Sequence, residues 1–173
     1  INIKNKKRFF GLIRIRKRID TNNRLFNESL GGGAIYDLGC YTTSMSLLIA
    51  SLIENMNIEN FKVSEIKNQY LDSNIETHSE AKINFDEKFT SEIKASFKEN
   101  LFKTIIKCEE GKIIIENSWN AKLTWIELLG KINNKIQFKS LKNNYTLEIE
   151  QISKDILENE KEVSFPGLSS NDI

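Results

Sequence analysis

Asp37 and Tyr41 stand four residues apart just beyond three consecutive glycines, in the stretch Gly31-Gly32-Gly33-Ala34-Ile35-Tyr36-Asp37-Leu38-Gly39-Cys40-Tyr41. In a helix that spacing puts the carboxylate and the phenol on one face, a turn apart. The spacing pairs a carboxylate with a phenol. A phenol with an ordinary pKa near ~10 is a poor acid-base group at neutral pH unless a nearby cation stabilises its anion, and that cation would have to come from elsewhere. Glycines let a backbone approach a ligand or a neighbouring element closely. The helix they open presents unpaired N–H groups and a partial positive charge at which something polar can dock. The same residues also admit a purely structural reading, with glycines for close packing, Asp37 as an early-helix acid and Tyr41 as a core aromatic. A dinucleotide fingerprint does not fit. Asp37 follows Gly31-x-Gly33 where a third glycine is required, and no βαβ unit surrounds it.

The remaining reactive side chains carry less. His78, the only histidine, lies between two expected strands with no second histidine to complete a metal site, and reads as a surface loop residue. Cys40 and Cys108 lack paired metal-ligand spacing and read as buried thiols, with no metal site expected. Arg24 follows two asparagines and either lines a binding mouth or is a solvated loop charge. The basic group Lys4, Lys6, Lys7, Arg8, Arg14, Arg16, Lys17 and Arg18 could meet phosphates, but alternation places Arg14, Arg16 and Arg18 on one face of a strand, so no nucleic-acid partner is expected. Trp119 and Trp125 are expected in the core or at an interface.

These residues need elements to position them. Phe9 to Ile19 alternates as a half-buried strand, and Asp20 to Leu30 reads as a loop. A helix is expected over Ala34 to Ile53, with Leu38, Met45, Leu48 and Leu52, helped by Ile35, Tyr41 and Ile49, as its apolar face. The period then changes to two. Strands are expected around Phe61–Tyr70, Ala81–Phe85, Ile93–Phe97, Phe102–Cys108, Ile113–Ile115, Leu123–Leu129 and Ile136–Phe138, with turns at Glu110-Gly111 and Asn133-Asn134 and sequential antiparallel pairing. Ile149, Ile152 and Ile156 mark a second helix, with Glu150 and Lys154 as a one-turn ion pair. The pattern predicts an α+β domain: an open, mainly antiparallel, mixed β-sheet with helices packed on one face.

At 173 residues the chain suits a single domain, 1–173. Its 25 basic and 24 acidic side chains nearly cancel, which removes any whole-protein electrostatic argument for a nucleic-acid or membrane partner. No apolar run approaches the ~20 residues that span a bilayer, and a cytoplasmic location is expected. The text opens at Ile1 inside a basic, strand-like stretch, so a fragment is expected.

The pattern Gly-Gly-Gly-Ala-x-x-Asp-x-Gly-x-Tyr resembles the signature that opens the C-terminal domain of the glucose-fructose oxidoreductase / inositol dehydrogenase / MocA oxidoreductases. The similarity continues through Arg24, the Glu110-Gly111-Lys112 hairpin and Tyr145-x-x-Glu148-Ile149, and so covers nearly the whole chain. It implies that a preceding Rossmann domain, absent from this chain, binds NAD or NADP, and that this domain supplies the long helix facing nicotinamide and substrate. It implies Tyr41 as the acid-base group, Asp37 as a hydrogen-bonding partner of substrate hydroxyls or of that group, and Arg24 and Gly33 as substrate contacts. The family's lysine, carried in a Glu-Lys-Pro motif, is missing here. Inositol-dehydrogenase-like members have histidine at the position of Tyr41, whereas the glucose-fructose oxidoreductase and the dihydrodiol and xylose dehydrogenases resemble this chain in having tyrosine. The implied reaction is hydride transfer at a sugar, polyol or dihydrodiol hydroxyl, and the implied assembly is a homo-oligomer through the open sheet face. The alternative is a non-catalytic domain for self-association or sugar binding.

Overall fold

The computed structural model describes residues 7–14, 22–71, 74–98, 103–119 and 123–164. Strand β1 (Lys7–Arg14) comes first. Two 3-10 turns, Arg24–Phe26 and Glu28–Leu30, lead into helix α1 (Ala34–Ser51). Strands β2 (Phe61–Tyr70), β3 (Glu76–Phe85), β4 (Phe89–Ser96), β5 (Lys103–Cys108), β6 (Gly111–Glu116), β7 (Leu123–Gly130) and β8 (Asn134–Lys139) follow, and helix α2 (Asn144–Leu157) closes the order. The strand expected over Phe9 to Ile19 is β1 as far as Arg14. Its remainder, and the side chains of the N-terminal basic group, lie outside the described residues.

The fold is α+β with one open, eight-stranded mixed sheet in the order β2-β3-β4-β1-β5-β6-β7-β8. Sequential antiparallel pairing holds within β2-β3-β4 and within β5-β6-β7-β8. Strand β1 joins the two halves, antiparallel to β5 and parallel to β4, with Gly11 opposite both Ile93 and Thr104. Alternation along a strand assigns a face to each residue but names no partner, which is why this insertion is invisible to periodicity.

Helix α1 packs on β1, β3 and β4. One cluster joins Ile49, Ala50 and Ile53 to Ile83, Phe85, Phe89 and Ile93, and a second joins Leu25, Ala34 and Leu38 to Ala95 and Phe97. The helix buries Leu38 and Ile49 and packs Met45 on the core as expected, but the rest of its inward face differs from the one its large apolar residues suggest. Leu52, Tyr41 and Ile35 are exposed, while Thr42 and Ser46 are fully buried. The hydroxyls explain the difference: Thr42 donates to the Gly39 carbonyl, Ser46 donates to the Thr42 carbonyl, and Ser46 meets Ser91 of β4 at 2.6 Å. Satisfied within the helix and across to the sheet, these small side chains cost little to bury and let α1 lie close on β4.

Helix α2 is capped by Asn143, whose side chain accepts from the Thr146 N–H at 2.9 Å. Its Ile149, Ile152 and Ile156 are exposed. The expected Glu150–Lys154 pair gives way to Glu150 with Lys142 on the preceding turn, at 2.6 Å. No helix among the described residues is long and apolar enough to cross a membrane.

Candidate functional site

Gly33 opens α1 with φ 128° and ψ 144° and offers no side-chain cap. The cap comes from across the sheet. The Glu76 carboxylate of β3 accepts from the Ile35 N–H at 2.9 Å, and a Cβ on Gly33 would lie 2.4 Å from the same oxygen. What docks at the glycine-opened helix end is therefore this chain's own acid, attracted by the orphan N–H groups and the helix dipole.

One and two turns further on, Asp37 and Tyr41 leave the helix on its solvent side. The Arg24 guanidinium donates to Asp37 Oδ1 at 3.0 Å, with the carboxylate 16% exposed and the arginine 60%. The 3-10 turn brings Arg24 back onto α1. Tyr41 is 46% exposed. Its ring meets Trp119 edge-on with centroids 5.7 Å apart. The phenol is held above its usual pKa, first by partial burial and then by Cys40, Tyr145, Asp37 and Glu148. Burial and neighbouring acidic groups both disfavour the anion, so Tyr41 is a protonated hydroxyl at neutral pH.

Trp119, Tyr145 and Glu148 join the site from outside its motif. Trp119 sits in the turn after β6, packs against the second core cluster, and accepts at its carbonyl from Asn144 Nδ2 at 2.9 Å. That bond places the first turn of α2 beside Tyr41. The similarity at Tyr145-x-x-Glu148 marked these residues in the sequence. Nothing marked the Trp119–Tyr41 contact, because it spans the whole sheet in sequence.

Two expectations are corrected, those for the cysteines and for His78. Cys40 is exposed and Cys108 is half-buried rather than both being core thiols. Cys40 follows Gly39 on the outward side of α1, beside Tyr41. His78 is a buried strand residue rather than part of a surface loop, 5% exposed on β3, with Nδ1 3.1 Å from Ser96 Oγ and Nε2 3.0 Å from Glu80 Oε1. Polar partners on β3 and β4 make its burial affordable. Trp125 is half-buried under the Lys135 ammonium, 5.0 Å from the ring centroid. Among the described residues no group of three or more His, Cys, Asp or Glu is arranged to hold a metal ion.

The start of α1 does not fit the phosphates of a dinucleotide. The anion position at the start of α1 is filled by Glu76, and a phosphate would meet that charge. What the site can do is bind hydroxyl groups: Asp37 accepts, Tyr41 donates, and Trp119 and Tyr145 supply aromatic surface.

No family model and no curated protein sequence matches the chain. Solved structures do. The 3-ketoreductase KijD10 from Actinomadura kijaniata, in complex with NADP and TDP-benzene, is similar with a TM-score of 0.74 at 12% identity, over 99% of this chain and 51% of that one. The aldose-aldose oxidoreductase from Caulobacter crescentus, complexed with glycerol, is similar with a TM-score of 0.67 at 15% identity, over 97% of this chain and 48% of that one. At these identities the likeness is one of fold, to part of two oxidoreductases, and this chain spans about half the length of each.

Proposed function

We propose that this chain is the substrate-side domain of an NAD(P)-dependent oxidoreductase of the glucose-fructose oxidoreductase / inositol dehydrogenase / MocA type, in the tyrosine-bearing subgroup, acting on a hydroxyl of a sugar, polyol or dihydrodiol. The observation that carries the reading is the convergence of Arg24, Asp37 and Tyr41 on the solvent side of α1, with the carboxylate oriented by the arginine. The fold shared with a ketoreductase and an aldose oxidoreductase supports it.

In this reading a separate Rossmann domain of the parent protein brings the nicotinamide, which supplies the hydride. This chain handles orientation and the proton. Asp37, fixed by Arg24, accepts hydrogen bonds from substrate hydroxyls beside the reacting carbon. Tyr41, protonated at neutral pH, donates to the carbonyl oxygen in reduction. As a base in oxidation it needs a cation from the cofactor domain to stabilise its anion. Arg24 and Gly33 border the substrate, and Gly33 holds the start of α1 to Glu76 and so fixes where Asp37 begins its turn. The face of the sheet opposite α1 is the proposed surface of homo-oligomerisation.

The test is turnover by the parent protein with NAD and NADP against a panel of sugars, polyols and dihydrodiols. Tyr41→Phe is expected to lower kcat by about 10²–10⁴-fold with little change in KM, the usual contribution of a positioned general acid. Turnover unchanged by that substitution would remove Tyr41 from the chemistry.

A further inference from the structure

We propose that Trp119 is the positioning residue of Tyr41: its indole ring holds the phenol in place, and its backbone carbonyl ties the first turn of α2 to the same spot. The two rings meet at 64° with centroids 5.7 Å apart, a T-shaped contact that fixes the direction of the phenol as well as its depth. Tyr41 leaves a helix face with solvent on one side and is 46% exposed, so nothing in α1 alone restrains it. Trp119 is itself anchored. Its ring packs against the cluster containing Leu38 and Phe97, and its carbonyl accepts from Asn144 at 2.9 Å.

The indole N–H is the telling detail. Trp119 Nε1 is buried and has no hydrogen-bond partner among the described residues. A buried donor without an acceptor works against folding, so a phenylalanine would pack here at no such cost. The ring sits where it serves Tyr41 rather than where it satisfies itself. Partial burial is also the leading cause of the raised phenol pKa, and the indole is the large apolar surface against the phenol. Removing it lets water reach Tyr41.

The inference rests on the proposed reaction only where turnover is measured, and the titration of Tyr41 is independent of it. Tyrosinate formation is followed by ultraviolet absorbance in the parent protein and in Trp119→Ala and Trp119→Phe, each compared with its Tyr41→Phe counterpart to isolate Tyr41. Trp119→Ala is expected to lower the Tyr41 midpoint and to cut kcat about tenfold with KM within about twofold, the pattern of a displaced reacting group. Trp119→Phe restores both. If circular dichroism shows that Trp119→Ala does not fold, Asn144→Ala replaces it: freeing the carbonyl loosens the ring, and the midpoint falls by less but in the same direction. A Tyr41 midpoint unmoved by these variants, or not restored by Trp119→Phe, overturns the assignment. A midpoint that moves as expected in a protein without turnover upholds the positioning and sinks the oxidoreductase reading alone.

Discussion

Glu76 caps a helix it does not belong to, and Gly33 is the residue that makes room for it. A Cβ at Gly33 would sit 2.4 Å from Glu76 Oε1, and the backbone there has φ 128°, a region closed to other residues. Gly33→Ala is therefore expected to cost about 1–3 kcal/mol in urea denaturation, from backbone strain and the displaced carboxylate together. Because the carboxylate causes part of the loss, Gly33→Ala with Glu76→Ala should cost less than the sum of the two single changes. Strict additivity would show that Gly33 and Glu76 are not coupled. The pairing of Asp37 with Tyr41 was legible in the sequence, since a four-residue step is local to one helix. The Glu76 cap, the Arg24 contact and the Trp119 ring were not. Each depends on which strand or turn lies over α1, and spacing along the chain does not carry that.

The strands follow the same division. Period-two runs located β2 through β8 to within a few residues, because half-buried strands must alternate. His78 was lost to a loop because Asn74, Glu76, Thr77 and His78 are polar throughout, and the partners that permit its burial lie on β3 and β4. The face of α1 was misjudged in part, at Ile35, Tyr41 and Leu52, for a related reason: large apolar residues advertise burial, whereas Thr42 and Ser46 are buried through hydroxyl bonds that composition does not show. Opposite α1, β3 and β4 join Glu80 to Lys94 at 2.9 Å and to His78 at 3.0 Å. The bond from Lys94 is the main reason the Glu80 carboxyl lies below its ordinary value of 4.5. Depressed in the folded state, it stabilises the fold above that ordinary value, and the contribution disappears as pH falls through the folded value. Measured against Glu80→Gln, the native sheet should be more stable at pH 7 by less than about 1 kcal/mol, because the pair is partly solvated and screened. The difference should vanish in acid. A difference that grows on acidification would contradict the assignment.

At the scale of the whole molecule, two surfaces bear on what this chain does alone and in company. With Glu76 at the start of α1, that helix end offers no seat for a dinucleotide phosphate. Calorimetry on the chain is expected to show no micromolar binding of NAD or NADP, and binding at that level would mean that another part of it holds the cofactor.

The sheet face opposite α1 carries the last prediction. On β2 to β4 it is polar, with Lys82 bonded to Glu65 at 2.6 Å and Glu80 bonded to Lys94 and His78. On β5 to β7, alternation brings Ile105, Ile114, Trp125 and Leu129 to the same face. Around them lie the ion pairs Lys103–Glu116 and Glu127–Lys135, at 2.5 and 2.6 Å. Charges interleave with these residues, with Glu116 opposite Trp125 and Glu127 opposite Ile114, so the face mixes apolar and charged side chains throughout. Ile93 and Ile136 fall on the side of α1 instead. Two copies joined through this face would need to bury at least about 1,000 Å² in total to form a stable pair. Tryptophan is among the residue types that most often dominate binding at such contacts, and Trp125 is the one on this face, with Lys135 over its ring. The parent protein is therefore expected to sediment as a dimer or higher oligomer at micromolar concentration, and Trp125→Glu should dissociate it by placing a carboxylate in the contact. Tyr41 lies on the other side of the sheet, so its titration should survive that change. A parent protein that sediments as a monomer, or an oligomer indifferent to Trp125→Glu, would move the interface elsewhere and leave the site on α1 as described.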